Sequence, residues 1–296
     1  MKRRLAQGES VFGCWVDTGS STVVEILGHA GFDFVVIDLE HGQGDIATAT
    51  EMIRAAQLTD MTAVIRVPSN DPIFLKRILE VGADSLMIPQ IETAEEAKAA
   101  VHACRYPPQG ARGYAAPVVR ASSYGKVKDY IHRANDNLLL VLQIESQSAV
   151  KHAAEIAGVE GVDVAFIGVN DLGGSIGRLE QLDHPDVRKL VAEAEAALKK
   201  TGKIMGTVPS AGATPKELFA AGYKMVPLAV DVALLRDAAL ACVREHAPPA
   251  RLSARRSVTR AAAGSGTGGR GCRHAIPDRP AAGTAGRSLP PAAFRW

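Results

Sequence analysis

A (β/α)8 barrel followed by a basic tail is the fold that the sequence predicts, on three observations. Residues 1–246 contain eight short, β-rich apolar runs. Segments with helical patterning alternate with them, as expected of βα units around a parallel sheet. Eight such repeats within about 250 residues match the size of that barrel.

The runs follow in order. SVFGCWVD (10–17) is the first, and FDFVVIDLEH (32–41) is the second, opening on Val35, Val36 and Ile37 and ending in charge. A helix is predicted over 46–57. TAVIRVP (62–68) interrupts its apolar pattern with Arg66, and the N-cap-like Asn70 and Asp71 announce a helix over 71–81. SLMIPQIE (85–92) leads into a T-x-x-E capping box and a helix over 93–103. The long connection that follows contains RYPPQGARGYA (105–115), whose two prolines and two glycines constrain its path. LLLVLQIES (138–146) and VDVAFIGVND (162–171) are the fifth and sixth runs, and a helix is predicted over 185–201. KIMGTVPS (203–210), KMVPLAVD (224–231) and a helix over 232–245 complete the eight repeats.

The chain has 296 residues, with 47% hydrophobic and 22% charged content, and a formal net charge of +2. That balance hides an asymmetry. Residues 247–296 carry nine arginines, no lysine and the single acid Asp278, a net of +8, which leaves residues 1–246 at −6. The tail is rich in Arg, Ala, Gly and Pro, lacks apolar periodicity, and is predicted to be disordered or foreign to the fold. An arginine-rich tail also raises nucleic-acid binding as a different class of function. No stretch approaches eighteen uninterrupted apolar residues, and MKRRLAQGES turns polar at once, so a soluble, unexported, cytoplasmic protein is expected. Cys14, Cys104, Cys242 and Cys272 lack CxxC spacing and read as free thiols in a reducing compartment.

In this fold the catalytic groups sit at the carboxyl ends of the strands, because the βα loops build the site there. Those ends supply Asp38, Glu40 and His41, then Arg66, then Gln90 and Glu92, then Gln143 and Glu145, then Asn170 and Asp171. Glu145 and Asp171 end neighbouring runs, so their carboxylates either converge on a hard divalent cation or stand as separate loop acids. His41 suits a general base that Asp38 orients from three positions back, or a third metal ligand. Arg66 implies a nearby anion, or a salt bridge to Asp38. Arg112 offers a contact for a substrate carboxylate or for an interface. The Gly-rich NDLGGSIG (170–177) offers backbone N–H groups to an anion at a helix start, and it matches neither a Walker nor a Rossmann fingerprint.

IDLEHG, the R-V-P of the third run, YPPQGARG, LQIES and GVDVAFIGVNDL together resemble the HpcH/HpaI family of class II pyruvate aldolases, in order over residues 1 to about 245. The resemblance implies a metal-dependent barrel that reversibly cleaves 4-hydroxy-2-oxo acids into pyruvate and an aldehyde. It implies a homo-oligomer, hexamer or trimer, with exchanged C-terminal helices. By motif position it makes His41 the base and Asp38 its partner. Arg66 becomes the oxyanion and pyruvate contact, Glu145 and Asp171 the ligands of Mg²⁺ or Mn²⁺ (Co²⁺ or Zn²⁺ as alternatives), and Gln143 a substrate contact together with Asn170 and Asp171. Asn170 to Gly174 depart from the family's D-L-S or D-L-A pattern, which leaves the aldehyde pocket open. The citrate lyase β-subunit type of CoA-ester lyase looks similar but reads D-L-E-D where this chain has DLEH. A Schiff-base aldolase would need a lysine at a strand's carboxyl end, whereas Lys203 and Lys224 precede their strands.

Overall fold

The computed structural model describes residues 1–210 and 213–246, so the tail expected over 247–296 and Cys272 lie outside the described residues. Eight parallel strands close into a barrel in strict chain order, β1 to β8, with β8 pairing back onto β1. They are β1 (Val11–Val16), β2 (Phe34–Asp38), β3 (Thr62–Arg66), β4 (Ser85–Ile88), β5 (Leu139–Ile144), β6 (Val164–Ile167), β7 (Ile204–Thr207) and β8 (Met225–Val230). Each falls inside one of the predicted runs.

Helix α1 (Lys2–Ala6) precedes the barrel, and α2 (Ser21–Ala30), α3 (Ile46–Ala56), α4 (Pro72–Glu80) and α5 (Ala94–Cys104) follow the first four strands. The caps explain where they begin. Asp71 accepts from the Ile73 and Phe74 N–H groups with Pro72 in the first turn, and Thr93 and Glu96 form the expected reciprocal capping box. The connection to β5 contains a short 3₁₀ turn (Arg120–Ser122) and α6 (Tyr130–Asn137). Then come α7 (Gln147–Lys151) and α8 (Ala153–Gly158) after β5, α9 (Val169–Gly174) and α10 (Pro185–Thr201) after β6, α11 (Pro215–Ala221) after β7, and α12 (Asp231–His246) after β8. Along α10 the residues Val187, Leu190, Ala194 and Leu198 are buried, the spacing of one apolar helix face turned to the barrel wall.

Two apolar layers result. The larger lies between strands and helices, and the smaller fills the barrel interior with Leu5, Val11, Trp15, Phe34, Val36, Val64, Met87, Val141, Val164, Phe166 and neighbours. Glycine makes room for the rings: a Cβ on Gly13 would lie 2.4 Å from the Phe34 ring, and one on Gly206 would lie 2.6 Å from Phe166. Cys14 and Cys104 are buried free thiols, while Cys242 is free and exposed. The chain divides into a compact unit over Met1–Ala241 and a second unit from Cys242. Along α12 only Asp231 is buried, and Leu234, Leu235 and Leu240 are exposed. No helix among the described residues is long and apolar enough to cross a membrane.

Candidate active site

A cavity of about 490 Å³ opens at the carboxyl ends of the strands, lined by Trp15, Asp17, Asp38, His41, Arg66, Gln143, Asn170 and Asp171, with a more apolar wall of Val208, Pro209, Pro227, Leu228 and Val230. Strand register builds its first element. Asp38 and Arg66 are direct partners across β2 and β3, so the acid and the guanidinium emerge side by side. Arg66 donates through Nε to Asp38 Oδ1 at 2.9 Å and through Nη2 to Oδ2, while its Nη1 lies 3.0 Å from Glu40 Oε2. The guanidinium also stacks over the Trp15 ring, 4.4 Å from its centroid. Burial alone would push Asp38 up, but Arg66 and the Glu40 and His41 N–H groups hold it below the usual carboxylate range. Arg66 is therefore committed to two carboxylates, as the salt-bridge reading allowed.

The His41 side chain differs from its expected arrangement. Asp38 meets His41 through the backbone, accepting its N–H at 3.2 Å, and the acid beside the imidazole is Glu40, with Oε2 3.9 Å from Nε2. The reason is geometric: the loop turns tightly after β2, and Arg66 occupies both Asp38 oxygens. The imidazole itself is 65% exposed at the cavity mouth.

Further along the same rim, Gln143 and Glu145 follow from β5, and Gln90 reaches both Glu145 and Glu40. Glu145 is buried beside Gln143, whose Nε2 donates to Glu145 Oε2 at 2.8 Å, and Gln90 N–H donates to Oε1 at 2.7 Å. To present that N–H, Gln90 adopts φ 55°, a left-handed conformation that costs a non-glycine residue energy and is most often held where a site needs it. Gly168 lets β6 pass close by, since a Cβ there would meet Glu145 Oε2 at 2.8 Å. Burial pushes the Glu145 carboxyl up to about 7, against the Gln90 N–H, with Asp171 and Glu40 adding their negative charge.

Gln143 Oε1 is buried and has no hydrogen-bond partner among the described residues. Two interacting carboxylates and an unpartnered amide oxygen are the oxygen donors that a hard divalent cation takes. Among the described residues no group of three or more His, Cys, Asp and Glu surrounds a single point, so such a cation would take its other ligands from water or substrate. Asn170 and Asp171 are exposed in the first turn of α9, the helix start expected of NDLGGSIG.

Arg112 and Glu92 stand elsewhere. The Arg112 side chain is buried over the Tyr106 ring, 4.4 Å from its centroid, with Nη2 3.1 Å from the Tyr130 hydroxyl, so it does not line the cavity. Glu92 accepts from Ser146 Oγ at 2.7 Å. The sequence reading passed over Trp15, Asp17, Asp231 and Gly168. Asp17 and Asp231 were legible by the rule that exposed Asp38, since each closes an apolar run at a strand's carboxyl end.

One stability consequence follows from Glu145. Its carboxyl is raised in the fold, so the metal-free protein loses stability as pH rises from the ordinary 4.5 through about 7. Glu145→Gln removes that charge and should stabilise metal-free protein by about 2–3 kcal/mol at pH 8, with little change near pH 4.5. Denaturant unfolding at the two pH values measures the difference.

The HpcH/HpaI aldolase/citrate lyase family profile matches residues 11–238. A pyruvate aldolase of Rhizobium etli is 41% identical over 239 residues, covering 79% of this chain and 92% of its own length. A 5-keto-4-deoxy-D-glucarate aldolase of Klebsiella pneumoniae is 36% identical over 237 residues, covering 80% and 92%. Among solved structures, an HpcH/HpaI aldolase/citrate lyase family protein from Burkholderia cenocepacia superposes with a TM-score of 0.79 at 36% identity, over 82% of this chain and 97% of that one. A closed eight-stranded barrel, a polar mouth at its carboxyl ends and these matches across nearly the whole barrel agree: the chain belongs to the HpcH/HpaI aldolase/citrate lyase family and is an aldolase, a carbon–carbon lyase.

Proposed function

We propose that the chain is a metal-dependent aldolase that reversibly cleaves a 4-hydroxy-2-oxo acid into pyruvate, or a close 2-oxo acid, and an aldehyde. The observation that carries this reading is the orphaned Gln143 oxygen beside the Glu145 carboxylate, at a cavity that Arg66 and the exposed His41 also line. Glu145 and Asp171 are the residues that would hold Mg²⁺ or Mn²⁺, or alternatively Co²⁺ or Zn²⁺. When bound, such a cation supplies positive charge to the oxygens of a 2-oxo acid.

The chain's own residues then account for the proton and the charge. His41, as general base, takes the proton of the C4 hydroxyl. The C4 oxygen becomes the aldehyde carbonyl as the C3–C4 bond breaks, and its electron pair moves onto the C2 oxygen. Arg66 places fixed positive charge toward that oxygen, and Asp38 and Glu40 keep the guanidinium from swinging away. Asn170 and Gln143 face the cavity as hydrogen-bonding contacts. A proton returned to C3 completes the 2-oxo acid.

Lys203 does not suit a Schiff base, because its Nζ donates to the Val162 carbonyl just ahead of β6, at the amino end of the barrel. His41 and the aldolase names of the relatives favour this reading over a CoA-ester lyase. The exposed Leu234 and Leu235 of α12 support a homo-oligomer, hexamer or trimer, in which another copy covers them. Free thiols fit a cytoplasmic setting.

Pyruvate release from a panel of 4-hydroxy-2-oxo acids, with Mg²⁺, Mn²⁺, Co²⁺ or Zn²⁺ added, tests the assignment. Cation-dependent release from at least one member is expected. No release from any of them with any cation would overturn it.

A further inference from the structure

Asp17, immediately after β1, lines the cavity with its main chain held from both sides. Its N–H donates to Asp231 Oδ1 at 3.0 Å, and its carbonyl accepts the Gln43 N–H at 3.1 Å. The side chain is held by nothing comparable. Oδ1 is buried with no hydrogen-bond partner among the described residues. Its neighbouring acids are satisfied: Asp38 by Arg66 and two N–H groups, and Asp231 by the N–H groups of Asp17, Thr18 and Val232. A buried acceptor left without a donor is costly, and its usual explanation is a donor that arrives with water or ligand.

Charge narrows the kind of ligand. Among the described residues that line the cavity, Arg66 is the only arginine or lysine, and both its ends are taken by Asp38 and Glu40. Burial raises the Asp17 carboxyl above its usual range, with Asp38 and Asp231 adding to the rise and Arg66 and His41 opposing it. A ligand carboxylate at this point would therefore meet Asp17 and its neighbouring acids, with no arginine or lysine free to pair with it. Placement narrows it further. The Gln43 bond ties Asp17 to the loop that carries His41, and on the aldolase reading, on which this inference rests, His41 acts at C4. The part of the substrate beyond C4, which leaves as the aldehyde, then lies beside Asp17.

The geometry points to Asp17 as the residue that selects the aldehyde: it accepts a hydrogen bond from the hydroxyl of an uncharged hydroxyaldehyde and disfavours an aldehyde that bears its own carboxylate. Three aldehydes of matched size separate the two parts of this statement in the condensation direction with pyruvate: glycolaldehyde, acetaldehyde and glyoxylate. The wild-type protein should favour glycolaldehyde over acetaldehyde by about 10- to 100-fold in kcat/KM, the usual worth of one hydrogen bond to a charged acceptor. Asp17→Ala should erase that preference. Asp17→Asn, which keeps an acceptor but not the charge, should retain part of it, and both variants should raise the glyoxylate to glycolaldehyde ratio. Equal losses with all three aldehydes in both variants would show a structural role and overturn the inference, as would unchanged ratios. Deuterium exchange into the pyruvate methyl by wild-type protein needs no aldehyde and reads the aldolase assignment separately. Exchange together with unchanged ratios sinks this inference alone, and no exchange sinks both.

Discussion

Arg66→Ala should destabilise the protein by about 3–5 kcal/mol and reduce cleavage to background, because it leaves two carboxylates without their cation. Asp38 is 2% exposed and the Glu40 side chain 10% exposed, and both are within ion-pair distance of the same guanidinium. Losing one partner of such a group costs more than the group itself contributes, since it leaves two largely buried carboxylates uncompensated. Arg66→Lys should recover little, because an ammonium cannot bridge both Asp38 oxygens and reach Glu40 while also lying flat on Trp15. Asp38→Asn in the Arg66→Ala background should regain part of the lost stability. Denaturant unfolding of the two single variants and the double variant gives the coupling, and a loss below about 1 kcal/mol for Arg66→Ala would remove the clamp from this account.

His41→Ala should lower the cleavage rate by roughly 10²- to 10⁴-fold, the range expected for a positioned acid or base. Its imidazole is exposed, so melting should change by no more than about 0.5 kcal/mol. Cation affinity should also stay near that of the wild type. A metal ligand would behave otherwise: affinity would fall first, and excess cation would restore part of the rate. Metal titration alongside steady-state rates separates the two roles.

Much of this site is legible in the sequence, because the barrel rule turns strand ends into a list of candidates. VVIDLEHG ends in charge because it faces a mouth that β3, β5 and the start of α9 also furnish with polar groups. What the list lacks is pairing. Asp38 and Arg66 are 28 residues apart and meet only through β2–β3 register, which leaves His41 beside Glu40 rather than Asp38. Gln90 and Glu145 are 55 residues apart and meet through a left-handed backbone that a glutamine gives no sign of adopting. NDLGGSIG opens helix α9, the helix start that its place after the sixth run implies, and a Cβ on Gly173 would lie 3.2 Å from the Arg178 carbonyl. That glycine answers to space rather than to a turn. Arg112 reads as an anion contact because sequence does not show the two tyrosines that enclose it.

Exchange of the pyruvate methyl protons for deuterium, followed by NMR in metal-free protein and again after adding Mg²⁺ or Mn²⁺, tests the central claim most directly. It asks only for enolate formation and so does not depend on which aldehyde the protein prefers. The account predicts exchange that requires the cation, disappears on chelation, and is lost or shifted to much higher cation concentration in Glu145→Gln and Asp171→Asn. Full exchange by metal-free protein, or wild-type cation dependence in both variants, would contradict it.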